Sequence, residues 1–237
     1  MDNKLINFYE KFKSKDDKND YNKLPVGFNK HHILNNSHIL SIGSTGCGKT
    51  NSLINYIYLS NGNWYDIIIF CAIEDEYLYS NLKKKLPQIK IICNLEDLED
   101  VQEYNYEENG NLPKLLIIDD FINIPKKNIL KIKNYLVFGR KKGWSCYLQA
   151  QNYTQVDKSI VRNINYFIIY KLNDNITINN IIRNHNINNI KKDVIINMYQ
   201  YSTQNKGDFF MLDLKNEDKI YHYRHNFNEF LKIENFN

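Results

Sequence analysis

The sequence predicts one α/β domain: a mostly parallel central sheet between two layers of helices, a three-layer sandwich, closed at its C-terminal end by a β-hairpin. Three features carry this expectation. From His38 onward, short apolar runs alternate with helix-length amphipathic stretches, the order of strand–helix–strand units. The runs at 65–72 (YDIIIFCA) and 114–119 (KLLIID) are apolar nearly throughout, as in strands covered on both faces. A chain of 237 residues suffices for one such domain with a sizeable core and is tight for two.

Residues 1–30 are polar and include the run Lys13-Ser-Lys-Asp-Asp-Lys-Asn-Asp20, so they are expected to form an arm outside the domain. The domain itself is placed at 31–225, with 226–237 as a tail. His38–Ile42 reads as the first strand. Lys49–Ser60 reads as a helix ended by Asn61-Gly62. Tyr65–Ala72 is a second strand, Glu74–Leu86 a second helix and Lys90–Cys93 a third strand. The segment Glu96–Glu108 holds seven carboxylates and no basic residue, and is expected to be a helix with a solvated loop. Lys114–Asp119 is a fourth strand. Pro125 opens a helix running to about Lys142, where Gly143 suits its end. Trp144–Ala150 and Asn165–Leu172 are the fifth and sixth strands. Helical patterns follow at 176–184 and 189–200, and Gly207–Leu214 with Lys219–Arg224 forms the closing hairpin.

Composition narrows the function. Asn, Ile and Lys are heavily used, so lysine clusters carry less information than usual, whereas the four arginines, Arg140, Arg162, Arg183 and Arg224, stand out. The net charge of +4 permits an acidic polymer as partner without demanding one. The four cysteines are far apart and form no CxxC, which speaks against a disulfide framework or zinc site and for a reducing compartment. The longest apolar stretch is too short to span a bilayer, and the N-terminus has no signal-peptide pattern. No membrane association is expected, and a cytosol-like location is.

Gly43-Ser44-Thr45-Gly46-Cys47-Gly48-Lys49-Thr50 matches GxxxxGK[ST] in full, between a strand and a helix. The glycines let the backbone wrap a phosphate chain and aim N–H groups inward, and the helix begins with its positive dipole end at the anion. Lys49 would reach the β- and γ-phosphates, the Thr50 hydroxyl would bind Mg²⁺, and Asn51 completes the contact stretch. This is a P-loop, and ATP with Mg²⁺ is the expected ligand. Leu115-Leu-Ile-Ile-Asp119-Asp120 is an apolar strand ending in two carboxylates, the form of a Walker B element. Asp119 would hold Mg²⁺, mostly through water, and Asp120 would orient or deprotonate the attacking water. No Asn-Lys-x-Asp guanine-reading motif follows the strands, and no Arg-studded lid marks a small-molecule kinase.

Phe138-Gly-Arg140-Lys-Lys-Gly143-Trp-Ser-Cys-Tyr-Leu-Gln-Ala-Gln151-Asn, followed by Val156-Asp-Lys-Ser-Ile-Val-Arg162-Asn163, resembles the FtsK–HerA superfamily of DNA-pumping ATPases. A basic residue precedes a Gly, an apolar strand ends in Gln, and a short helix carries a basic residue before Asn. With the Asp-Asp ending of Walker B and the small size, the chain looks most like the poxvirus-type DNA-packaging ATPases of large DNA viruses and virophages, over about residues 38–175. The resemblance implies that Gln151 is the sensor linking the γ-phosphate to the neighbouring strand. It also implies that Arg140, or else Arg162, is an arginine finger offered to the nucleotide of an adjacent subunit. Gln149 lies two residues from Gln151, and strict alternation would put both on one face, so Gln151 rests on the resemblance alone.

The partners implied are double-stranded DNA, further copies of the chain in a ring, and a capsid or vertex protein. The location implied is the viral assembly site in the host cytoplasm, with association with the virion as a further option. Between Phe121 and Val156 there are seven basic residues (Lys126, Lys127, Lys131, Lys133, Arg140, Lys141 and Lys142) and no acidic one. Such a strip can track a phosphate backbone, or be a solvated helix face in a lysine-rich chain. A nucleotide-gated assembly or scaffold protein with slow turnover is the alternative reading.

Overall fold

The computed structural model describes residues 24–73, 76–106, 110–120, 124–174, 176–185, 187, 190–216 and 218–236. Residues 1–23 of the expected arm, and Glu74 at the expected start of the second helix, lie outside them. Within the described residues the chain runs α1 (Phe28–His31), β1 (His38–Ile42), α2 (Lys49–Leu59), β2 (Asp66–Phe70), α3 (Tyr77–Lys85), β3 (Ile89–Ile92) and β4 (Lys114–Ile118). It continues through α4 (Lys126–Val137), β5 (Trp144–Ala150), α5 (Lys158–Val161), β6 (Tyr166–Tyr170), α6 (Ile176–Asn184) and α7 (Lys192–Ser202). It closes with β7 (Phe209–Asp213), β8 (Tyr223–His225) and β9 (Glu229–Phe230).

The strands form one sheet in the order β3-β2-β4-β5-β1-β6-β7-β8-β9. The first six positions are parallel, and β7, β8 and β9 are antiparallel additions at one side. β1, β4, β5 and β6 are buried along their whole length, which is why their sequences are apolar at consecutive positions. One face of the sheet packs against α4, α6 and α7 through side chains such as Leu116, Leu148 and Ile169. The other face, with Ile117, Tyr147 and Ile168, lies under Leu53, Tyr56 and Ile57 of α2 and Tyr79 of α3. The predicted three-layer arrangement with a mostly parallel sheet is the one observed.

Several local expectations need correction. The helix expected to reach Lys142 ends at Val137, and Gly139–Lys142 forms a separate 3-10 turn. Gly139 sits against Trp144, where a Cβ would lie 3.1 Å from the tryptophan Cβ, so the chain tightens there to let the indole into the core. Among the described residues of the acidic segment, the helical part is the 3-10 turn Leu95–Asp97 at its start, and Leu98 and Val101 plug into the core. The second hairpin strand starts at Tyr223, because Lys219–Tyr221 is a 3-10 turn. The segment set apart as a tail supplies β9 and buries Phe227 and Leu231. His31 is fully buried, with Nδ1 accepting from the Ile33 N–H at 3.0 Å and Nε2 donating to the Val26 carbonyl at 3.2 Å.

Candidate nucleotide site

The C-terminal ends of β1, β4 and β5 converge on one edge of the sheet. β5 lies between the other two, so the strand carrying the paired acids and the strand feeding the P-loop are one strand apart. The loop leaves β1 at Gly43, whose N–H still bonds to the Ala150 carbonyl at 3.2 Å. A Cβ on Gly43 would lie 2.6 Å from Cys47 Sγ and 2.8 Å from Tyr170 Cβ, so only glycine fits this exit. Gly46 (φ 74°) and Gly48 (φ 114°) take left-handed backbone, which turns the loop into the start of α2. Ser44, Thr45 and Gly46 are exposed. Burial pushes the Cys47 thiol pKa up, so this cysteine is no ready thiolate.

Lys49 Nζ curls back over the loop and donates to the Gly43 carbonyl at 2.6 Å and the Ser44 carbonyl at 3.0 Å. Tyr170, the last residue of β6, anchors the loop from below. Its hydroxyl donates to the Gly48 carbonyl at 3.2 Å and meets Ser52 Oγ, while Ser52 donates to the Lys49 carbonyl at 2.9 Å. Sequence reasoning missed Tyr170, since a tyrosine closing an apolar strand looks like any core aromatic.

Across β5, the Asp119 N–H bonds to the Phe70 carbonyl at 2.9 Å, which fixes the residue at the tip of β4 beside β2. Its carboxylate is half-buried and accepts from the Tyr79 hydroxyl at 2.8 Å. Burial raises the Asp119 pKa; the Tyr79 hydrogen bond opposes that rise, and neighbouring Asp120 adds to it. Tyr79 itself is fully buried on α3, and its phenol pKa is driven far upward by burial and by Asp119. Nothing in the pattern of a chain with 18 tyrosines singled it out.

Asp120 is exposed and has φ 59°, a left-handed conformation that Asp tolerates better than most residues. Its carboxylate accepts from Gln151 Nε2 at 3.2 Å. The structure therefore brings together Asp120 and Gln151, the two residues read as water-orienting acid and sensor. Gln149, in register with Ser41 of β1, is fully buried instead.

Arg140 is elsewhere. It precedes β5 and so lies at the opposite edge of the sheet, about 20 Å from the P-loop edge at the usual strand rise. Arg162 is exposed in the turn leading into β6, and β6 starts at that same far edge. Neither arginine reaches the chain's own P-loop. The basic strip is largely occupied: Lys127 pairs with Glu96, Lys131 donates to the Leu98 carbonyl at 2.5 Å, and Lys133 lies 3.6 Å from Asp157. Lys142 sits over the Tyr106 ring at 4.6 Å.

The donor set at this edge consists of a hydroxyl (Thr50) and a carboxylate (Asp119), hard oxygen ligands of the type Mg²⁺ takes beside a phosphate chain. Among the described residues, no helix is long and apolar enough to cross a membrane. No curated protein matches the chain. Among solved structures, the DNA-packaging ATPase B204 from Sulfolobus turreted icosahedral virus is similar, with a TM-score of 0.54 and 15% identity over 81% of this chain and 97% of that one. The genome packaging NTPase B204 from Sulfolobus turreted icosahedral virus 2 in complex with AMPPCP has a TM-score of 0.58 and 14% identity, covering 83% of this chain and 98% of that one. ATPases 2 and 3 of Thermomonospora curvata EccC have a TM-score of 0.50 and 12% identity, covering 83% and 38%. At such identities the likeness establishes the fold. A family model described as Poxvirus A32 protein matches residues 26–214, most of the chain. The chain belongs to the poxvirus A32 family, in keeping with the poxvirus-type likeness of its motifs.

Proposed function

We propose that this protein hydrolyses ATP to drive double-stranded viral DNA into a preformed capsid. The observation that carries the hydrolytic part is the contact of Asp120 with Gln151 at the sheet edge that also bears the P-loop. A site that only stored nucleotide would have no need of a second acid held by a neutral amide beside the triphosphate.

In this reading the P-loop amides and Lys49 grip the phosphates, and Lys49 exchanges the Gly43 and Ser44 carbonyls for phosphate oxygens. Thr50 and Asp119 hold Mg²⁺, which supplies charge neutralisation on the phosphates. Asp120 aligns a water and accepts its proton, and Gln151 fixes the Asp120 carboxylate while registering the γ-phosphate. Arg140 faces away from its own site, which supports a role at the nucleotide of a neighbouring copy and hence a ring. Such a finger is worth orders of magnitude in rate. Family membership supports DNA and a capsid as partners and the viral assembly site in the host cytoplasm as the location. The strip along α4 adds little, because Lys127, Lys131 and Lys133 are engaged within the chain.

The test is the ATPase rate per subunit against protein concentration, with and without duplex DNA. The rate should rise with concentration and with DNA, and fall to background in Lys49→Ala. Asp120→Asn should keep ATP binding and lose about 10²-fold or more in turnover, as expected for removal of a group that positions or deprotonates water. A rate indifferent to both concentration and DNA would remove the motor and favour a nucleotide-gated assembly protein.

A further inference from the structure

In the proposed function Asp119 holds the metal, and a carboxylate at a strand tip has two oxygens and a free torsion. In this structure that torsion is not free. The Tyr79 hydroxyl, carried on the first turn of α3, donates to Asp119 Oδ2 at 2.8 Å. Tyr79 has no exposed surface, and its ring is packed among the side chains beneath α2. One buried hydroxyl thus adjoins the carboxylate read as a metal ligand.

A tyrosine was not required here by packing, because phenylalanine would fill the same volume without burying a hydroxyl. A buried hydroxyl without a partner is costly, so the hydroxyl and the carboxylate fit one another as a pair. Groups that hydrogen-bond a metal ligand from behind fix its orientation, and their loss typically costs 10–100-fold in metal affinity or activity.

We propose that Tyr79 is a positioning residue for the divalent cation: it ties up Asp119 Oδ2, so that Oδ1 is presented toward Thr50 and the triphosphate. Tyr79 touches neither nucleotide nor metal and acts only through Asp119. The inference rests on the reading of Asp119 as a metal ligand.

The experiment measures Mn²⁺ affinity of the full chain with ATP, by the loss of the free-Mn²⁺ electron paramagnetic resonance signal, alongside ATP binding in chelator. It uses wild type, Tyr79→Phe, Asp119→Asn and the double variant. Tyr79→Phe should weaken Mn²⁺ retention by about tenfold or more, leave ATP binding in chelator unchanged, and have no further effect in the Asp119→Asn background. A purely structural tyrosine would shift ATP binding or add to the Asp119→Asn effect, and either result overturns the proposal. An unchanged Mn²⁺ affinity in Tyr79→Phe, with a weakened one in Asp119→Asn, overturns it while sparing the metal reading. An unchanged affinity in Asp119→Asn would instead remove that reading, and this proposal with it.

Discussion

Arg224 has no exposed surface and a nearly complete set of partners. Its guanidinium donates to Asp213 Oδ2 at 3.0 Å and to the carbonyls of His31 (3.0 Å), His32 (3.3 Å) and Phe227 (3.2 Å). A planar fork carries five donors in fixed directions and serves an acid and several carbonyls at once, where an ammonium has only three donors at one point. It ties α1 to the closing hairpin, and Asp213, also buried, has this ion pair among the described residues. Removing one partner of a buried pair leaves an uncompensated charge, so Arg224→Ala should cost about 3–5 kcal/mol of unfolding free energy. Arg224→Lys should recover only part of it. Denaturant titration of the three proteins checks both, and a loss within measurement error would deny the clamp. The scarcity of arginine in a lysine-rich sequence flagged this residue with three others, yet gave no hint which was structural. That depends on the meeting of residues 31, 213 and 224, distant in sequence. The P-loop, by contrast, was legible, because it is a local motif whose chemistry is written in consecutive residues. Tyr79 was not, because its partner lies 40 positions away.

The connection from α4 to β5 sets where Arg140 is presented, and it turns on Gly143. The residue has φ 85°, and a Cβ there would lie 2.3 Å from the Leu112 carbonyl oxygen and 2.6 Å from that of Asn111. The Lys114 N–H bonds to the Gly143 carbonyl at 2.8 Å, so the turn is fastened to the start of β4. Gly62 is a natural control: its φ is 83°, but nothing lies within 4 Å of its would-be Cβ. Gly62→Ala should cost roughly 1–2 kcal/mol, the price of left-handed backbone alone. Gly143→Ala should cost clearly more, because backbone oxygens cannot step aside as a flexible side chain can. Unfolding midpoints of the two variants decide the matter, and equal losses would mean the carbonyl contact is unimportant. The sequence marked this glycine as a helix end but missed the 3-10 turn before it, since the need to seat Trp144 against Gly139 is a tertiary contact. The strands were legible because burial on both faces leaves long apolar runs. The acidic segment was misjudged because charge counting overlooked Leu98 and Val101, which carry it onto the core, and its carboxylate Glu96 then meets Lys127 of the supposed free strip.

At the scale of the whole molecule, two buried histidines make folding depend on pH. His38 begins β1 and donates from Nε2 to the Leu136 carbonyl at 2.9 Å, joining the central sheet to the end of α4. His31 sits under α2 against Tyr56, with ring centroids 5.2 Å apart. Burial lowers both pKa values from 6.5 to about 4, and nearby cations push the same way: Lys215 and Arg140 at His38, His32 and Arg224 at His31. Both are therefore neutral in the folded protein at pH values where the unfolded chain already binds protons. The stability they confer is fully present above the unfolded pKa of 6.5 and is lost as pH falls toward 4. Between pH 7.5 and 5.5 the loss comes to roughly 1 kcal/mol per histidine. Asp66, Asp119 and Asp213 act in the opposite sense. Burial raises their carboxyl pKa values, so the stability tied to them is present below the unfolded value near 3.8 and lost as pH rises through the folded one. Their contribution is common to wild type and histidine variants and cancels in the comparison. Urea unfolding at pH 7.5 and 5.5 should show wild type losing stability on acidification, and His38→Gln, whatever its own cost at pH 7.5, losing about 1 kcal/mol less between the two pH values. If the variant's slope equals that of wild type, His38 is not the group that couples the central sheet to protons.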